Sequence, residues 1–193
     1  MMYIGSIGGI CLAKRITSLL IALMLLTAAA HAATIYGSLP DDGIYVAQEQ
    51  KHTCTLVAAT MMARNYAFQN GEDYSRITVD AMKKVCWSSY GLAHNFAIGD
   101  VSVMQSTEIG SAKDKKEYLI NQLCEHPEGI VIYNSKQPHA VFLFGYRADT
   151  DTFFCADTTG KNSLQMIALE ETLLKGEGQQ GKINGLNKIW HIK

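Results

Sequence analysis

The sequence contains no internal repeat, no low-complexity stretch and no excess of charge of one sign, with 17 basic residues against 18 acidic ones. Without repeats, a solenoid or array is excluded. A balanced charge with no basic stripe and no aromatic–basic interleaving excludes a nucleic-acid interface. Charged residues make up only 18% and apolar residues 48%, which excludes disorder and predicts a packed globule. Beside His52 and Cys54 no second histidine or cysteine pair stands at zinc spacing. No metal site is therefore expected.

What is present begins with a leader. Lys14 and Arg15 supply positive charge, Ile16 to Ala29 is an uncharged apolar run, and Ala30-His31-Ala32 is a small-x-small cleavage site. The pattern predicts an export signal over 1–32 and one domain over 33–193. An uncleaved membrane anchor is the alternative, because the run approaches the roughly 20 residues that span a bilayer. Either way the domain lies outside the cytoplasm, and after cleavage it is secreted or periplasmic with no membrane association. No cysteine stands at the cleavage point, which excludes a lipid anchor there. Removing Lys14 and Arg15 leaves 15 basic against 18 acidic residues, a net charge of −3. A domain of about 160 residues buries most of its apolar surface, and a monomer is expected. The exported part holds Cys54, Cys86, Cys124 and Cys155. Export permits disulfides, and an even number admits two. A domain of this size needs none, and one disulfide among Cys86, Cys124 and Cys155 stays open.

Along the chain, Thr34–Tyr36 and Ile44–Ala47 are apolar runs around the turn Pro40-Asp41-Asp42-Gly43. A loop follows from Gln48 to Thr53. Cys54 to about Phe68 reads as a helix with a wide apolar face, ended by Asn70-Gly71. Thr78 caps a short helix running to Cys86. Ser88 to Ala112 reads as loops with one weak strand over 97–104. Asp114 and Glu117 resemble a capping box opening a helix that Pro127 stops. Strand-like runs follow at Gly129–Tyr133, His139–Tyr146 and Thr152–Ala156. Leu164–Leu174 carries mixed signals, Lys175–Gly185 reads as an exposed Gly/Gln loop, and Asn187–Ile192 reads as a closing strand. Helices first and an antiparallel sheet after them predict the α+β class.

Within this frame four residues carry chemistry. A thiol attacks as its thiolate, and an ordinary cysteine pKa near ~8.5 keeps it mostly protonated. Cys54 lies where the loop ends and the helix begins, where unpaired N–H groups and the helix dipole favour the anion. Gln48 precedes it by six residues and offers a side-chain amide for a developing oxyanion, with Gln50 as competitor. His139 opens one apolar strand and Asp157 ends the next. A turn centred on Ala148 places them directly opposite, with Cβ atoms about 4.5–5.5 Å apart. The carboxylate then fixes one imidazole nitrogen and leaves the other for a thiol. Asp151 is the alternative acid but lies at the wrong end of its strand, and with Asp149 it reads as solvated. His94, His126 and His191 read as isolated. Trp87 and Trp190 read as core anchors.

The loop Gln48-Glu49-Gln50-Lys51-His52-Thr53-Cys54 resembles the oxyanion glutamine and nucleophile spacing of papain-like peptidases. The segment Gln137-Pro138-His139-Ala140-Val141 through Gly145-Tyr146, then Phe153 to Asp157, resembles the family's histidine and acid strands, with Gly129–Tyr133 fitting the run before the histidine. The likeness is greatest to the branch of double-glycine-leader, bacteriocin-processing peptidases, which has Asp where papain has Asn. It spans about Ala47 to Asp157. It implies a helical lobe carrying Cys54, a sheet lobe carrying His139 and Asp157, and a cleft between them. Thr55 stands where many members have Gly. Leader-processing members are usually cytoplasmic parts of a transporter, so the export signal here does not imply leader processing. The expected chemistry is hydrolysis of a peptide bond in a peptide or protein substrate by a Cys54–His139–Asp157 triad with Gln48 at the oxyanion, needing no cofactor. Acyl transfer to an amine and cell-wall amide hydrolysis use the same residues. A non-catalytic binding domain with Cys54 locked in a disulfide is the remaining alternative.

Overall fold

The computed structural model describes residues 34–160 and 164–193. The expected leader over 1–32 lies outside the described residues. The described chain is α+β. Four α-helices stand among the described residues: α1 (Cys54–Gln69), α2 (Val79–Cys86), α3 (Lys115–Glu125) and α4 (Gly178–Gly185). The strands are β1 (Ile35–Gly37), β2 (Trp87–Ser88), β3 (Gly91–Leu92), β4 (Asn95–Ile98), β5 (Val101–Ser106), β6 (Ile130–Asn134), β7 (His139–Arg147), β8 (Thr152–Asp157), β9 (Ile167–Ala168) and β10 (Lys188–Ile192). Eight of them form one antiparallel sheet in the order β4-β5-β10-β6-β7-β8-β9, with β1 also paired to β7, while β2 and β3 make a separate hairpin.

Both faces of this sheet are covered. Along β7, side chains alternate. Ala140, Phe142 and Phe144 pack with Leu56, Met61 and Met62 of α1. Val141 and Leu143 pack with Leu119 and Leu123 of α3 and Ile183 of α4. This explains why β6 and β7 read as continuous apolar runs rather than as alternating ones. It also explains α1, which is buried along nearly its whole length, from Leu56 to Ala63. Phe142 and Phe144 are fully buried, and truncating either to Ala costs about 3–5 kcal/mol.

Several expectations change. Lys175–Gly185 is not simply a loop, because its second half is α4. Three glycines in eight residues, Gly178, Gly181 and Gly185, argue against that locally. Tertiary contacts override the propensity: Ile183 is fully buried, and Gln179 bridges the β7–β8 edge by accepting from Phe153 N at 2.8 Å and donating to Asp151 O at 2.8 Å. The single weak strand at 97–104 is the β4–β5 hairpin, turning at Gly99-Asp100. The closing strand β10 sits inside the sheet, between β5 and β6. Helices do not all precede the sheet, since β1 comes before α1 and α4 follows β9. Cys54, Cys86, Cys124 and Cys155 are all free thiols. His126 and His191 are not isolated: their rings stack with centroids 4.3 Å apart.

Candidate active site

Helix α1 delivers Cys54 to the end of the sheet. Thr53 stands at the N-cap position, but no side chain caps the helix there. The Thr53 hydroxyl donates instead to the Gln50 carbonyl at 2.7 Å. The N–H groups of the first turn thus remain unspent beside the thiol, the arrangement that favours an anion. The turn before them is tight, and His52 adopts φ 66°, a left-handed conformation that few non-glycine residues take and that histidine takes more readily than most.

Strands β7 and β8 deliver the other two groups. His139 begins β7 and Asp157 ends β8, so antiparallel pairing sets both at one edge. Nε2 of His139 lies 2.8 Å from Oδ1 of Asp157. Their register differs from the expected one: Asp157 faces Val141, and His139 is its diagonal neighbour. Two features shift the ladder. Asp151 takes φ 53°, which extends the turn to Ala148–Asp151, and its carboxylate is held by Tyr146 Oη at 2.9 Å and Lys116 Nζ at 2.7 Å. A bulge between Leu143 and Gly145 then returns part of the offset. There the Phe144 carbonyl accepts from Ser38 N at 3.0 Å. Diagonal neighbours are still within reach of long side chains, so the contact forms although the pairing behind it differs.

Asp157 is 1% exposed. Burial alone raises a carboxyl pKa, but the His139 bond, its charge, and N–H groups from Leu173 at 2.7 Å and Thr159 at 3.1 Å hold it below the ordinary carboxylate range. For His139, burial alone lowers the pKa. The bond to Asp157 and the hydrogen-bonding contact with the Cys54 thiol outweigh burial and push it up to about 9. With Nε2 on Asp157, the nitrogen left for Cys54 is Nδ1. At neutral pH the imidazole therefore holds its proton beside Cys54.

Gln48 is tied in by its backbone, whose N–H donates to Thr158 O at 2.7 Å, one residue beyond Asp157. Its side-chain oxygen accepts from the Thr158 hydroxyl at 3.3 Å, and Nε2 donates to the Gln50 carbonyl at 2.7 Å. One N–H of the amide is engaged and the other remains. Gln50 turns away, accepting from Lys83 Nζ at 2.9 Å.

Cys54 opens into a cavity of about 190 Å³ walled by Trp87, Tyr90, Tyr133 and Trp190. Trp190 donates to Ala93 O at 3.0 Å and meets the Tyr133 ring edge-on. Both tryptophans thus line the thiol's cavity as well as the core. A second cavity, of about 220 Å³, lies across the Gln48–Thr53 loop. It contains none of the triad, and its Arg64 and Lys83 are already bonded within the chain.

Sequence reasoning missed the support beneath Asp157. The Leu173 N–H donates to it, and the carbonyls on either side, of Thr172 and Leu174, accept from buried Lys182 at 2.6 and 2.8 Å. A lysine in a Gly/Gln-rich stretch carries no local signal of this. Tyr133 and Lys188, which meet beside the thiol, were also missed; their only signal is strand parity, readable once the sheet order is known. No protein-family model, no curated protein and no solved structure matches this chain.

Proposed function

We propose that the chain is an exported cysteine peptidase of papain-like fold, with Cys54 as nucleophile, His139 as base and acid, and Asp157 as the group that orients the imidazole. One observation carries this reading: the thiol at an uncapped helix start contacts an imidazole whose far nitrogen is held 2.8 Å from a buried carboxylate. The thiolate attacks the scissile carbonyl carbon, and the C=O electron pair moves onto oxygen. The Cys54 N–H and the Gln48 amide, turned from the Gln50 carbonyl, receive that oxyanion. His139 gives its Nδ1 proton to the leaving nitrogen as the C–N bond breaks. Water then attacks the thioester, gives a proton back to His139, and frees the acid and the thiolate. Cys54 is a free thiol, as the attack requires. Among the described residues no helix is long and apolar enough to cross a membrane.

The test is alkylation by iodoacetamide across pH, read cysteine by cysteine by mass spectrometry. Cys86 and Cys155 serve as internal controls, because burial pushes the Cys86 thiol up to about 12 and Cys155 well above its ordinary value. Cys54 is expected to react rapidly at pH 6 to 7 and to lose that reactivity in His139→Ala. An inert Cys54 in the folded protein overturns the proposal.

A further inference from the structure

The cavity beside Cys54 has polar groups that hydrolysis does not use. Val103 of β5, Tyr133 of β6 and Trp190 of β10 all belong to the α1 side of the sheet. Lys188 shares the parity of Trp190, and Gln105 pairs with Trp190 across β5 and β10, so both take that side too. Both line the cavity that holds Cys54. Lys188 pairs with Tyr133 across the ladder, and its Nζ stands 6.0 Å from the ring centroid. Tyr133 in turn feels Cys54: burial first, and then the thiol's charge, raise its pKa. Strand order therefore sets Lys188 one aromatic ring beyond the nucleophile. Two strand spacings, about 10 Å, separate β7 from β10, which is about three residues of extended peptide.

Lys188 Nζ makes no hydrogen bond or ion pair among the described residues, and the Gln105 amide makes no side-chain hydrogen bond there. No Asp or Glu lines this cavity, whereas His52 and His94 do. Lys188 thus presents an ammonium without a counter-ion to a cavity walled by aromatic rings.

We propose that Lys188 and Gln105 form a carboxylate subsite of the cleft, selecting substrates that bear a carboxylate about three residues from the bond cleaved. This rests on the reading of the Cys54 cavity as the substrate cleft. Lys188 supplies the charge, Gln105 donates a second N–H, and the rings exclude water that would weaken both. The carboxylate belongs either to an acidic side chain or to the C-terminus of a short peptide.

The test uses the intrinsic fluorescence of Trp87 and Trp190, the chain's two tryptophans, both of which line the cavity. Cys54→Ala protein is titrated with three blocked tetrapeptides: one neutral, one with a single Glu, and one with a free C-terminal carboxylate. At least one carboxylate peptide is expected to bind about tenfold more tightly than the neutral one, and which one identifies the source. Lys188→Met should erase the difference, Lys188→Arg should keep it, and raising salt from 0.05 to 0.5 M should shrink it. Equal affinity for all three, or a preference that survives Lys188→Met, overturns the subsite. The titration needs no turnover, so it is decided independently of Cys54 reactivity.

Discussion

His139 carries the clearest consequence at the scale of single residues. Its pKa in the fold, about 9, lies above the ordinary 6.5. Protonation is thus favoured by folding, and this contribution to stability is fully present below about pH 6.5 and is lost as pH rises through 9. Asp157 has the opposite sign. Its pKa is depressed, so its contribution is present above the ordinary value of 3.8 and is lost as pH falls through the folded pKa. Urea unfolding followed from pH 5 to 10 should therefore show an alkaline decline between 6.5 and 9, and His139→Ala should flatten it. In Asp157→Asn the strongest raising influence on His139 is gone. NMR titration of the imidazole should then move down toward 6.5 or below. On a cleaved peptide, His139→Ala is expected to lower kcat/KM at least about 10²-fold. Asp157→Asn should cost less, because an amide still accepts the imidazole bond; an equal loss in both would mean that charge, not orientation, is what Asp157 supplies.

Among the elements, the segment from Thr172 to Leu174 and helix α4 support the site from below. Lys182 holds the Thr172 and Leu174 carbonyls, and Leu173 between them donates to Asp157. Lys182→Met keeps the aliphatic stem and removes both bonds. Stability should fall by roughly 1–3 kcal/mol, the cost of leaving buried carbonyls unpaired. The His139 titration should move down along with it if Asp157 loses its Leu173 bond, a readout that plain destabilisation does not produce. The entry to β6 makes a second test. Gly129 has φ +92°, and a Cβ there meets Leu143 O and a Phe142 ring carbon, each at 2.7 Å. Gly129→Ala is therefore expected to destabilise by more than about 2 kcal/mol in chemical denaturation, because both the conformation and the space are wrong for a side chain.

Over the described residues, one large sheet carries apolar clusters on both faces, and β10 lies within it. Removing residues 188–192 takes the buried Ile189, Trp190 and Ile192 out of the two apolar clusters and leaves facing edges of β5 and β6 unpaired. Such a truncation should lose its cooperative thermal transition, as read by circular dichroism, rather than lose activity alone. Retention of a sharp transition would mean that β10 is an edge element after all.

The extent of α1, the capped start of α2 at Thr78 and the cores of β6, β7 and β8 could be read from the chain, because local periodicity and capping chemistry determine them. The residues of the candidate triad could be read as well, since a cysteine at a helix start and two residues flanking a hairpin are sequence-local facts. What tertiary structure alone decided was register, strand order and support. The bulge at Phe144 lies where that residue meets Ser38, and the turn at Asp151 is held by Lys116 and Tyr146; with this register His139 is diagonal rather than opposite to Asp157. The place of β10 beside β6 brings Lys188 to the thiol's cavity, and a buried lysine in a glycine-rich stretch steadies the acid. Each of these involves tertiary contacts beyond one element, for which no local propensity leaves a mark.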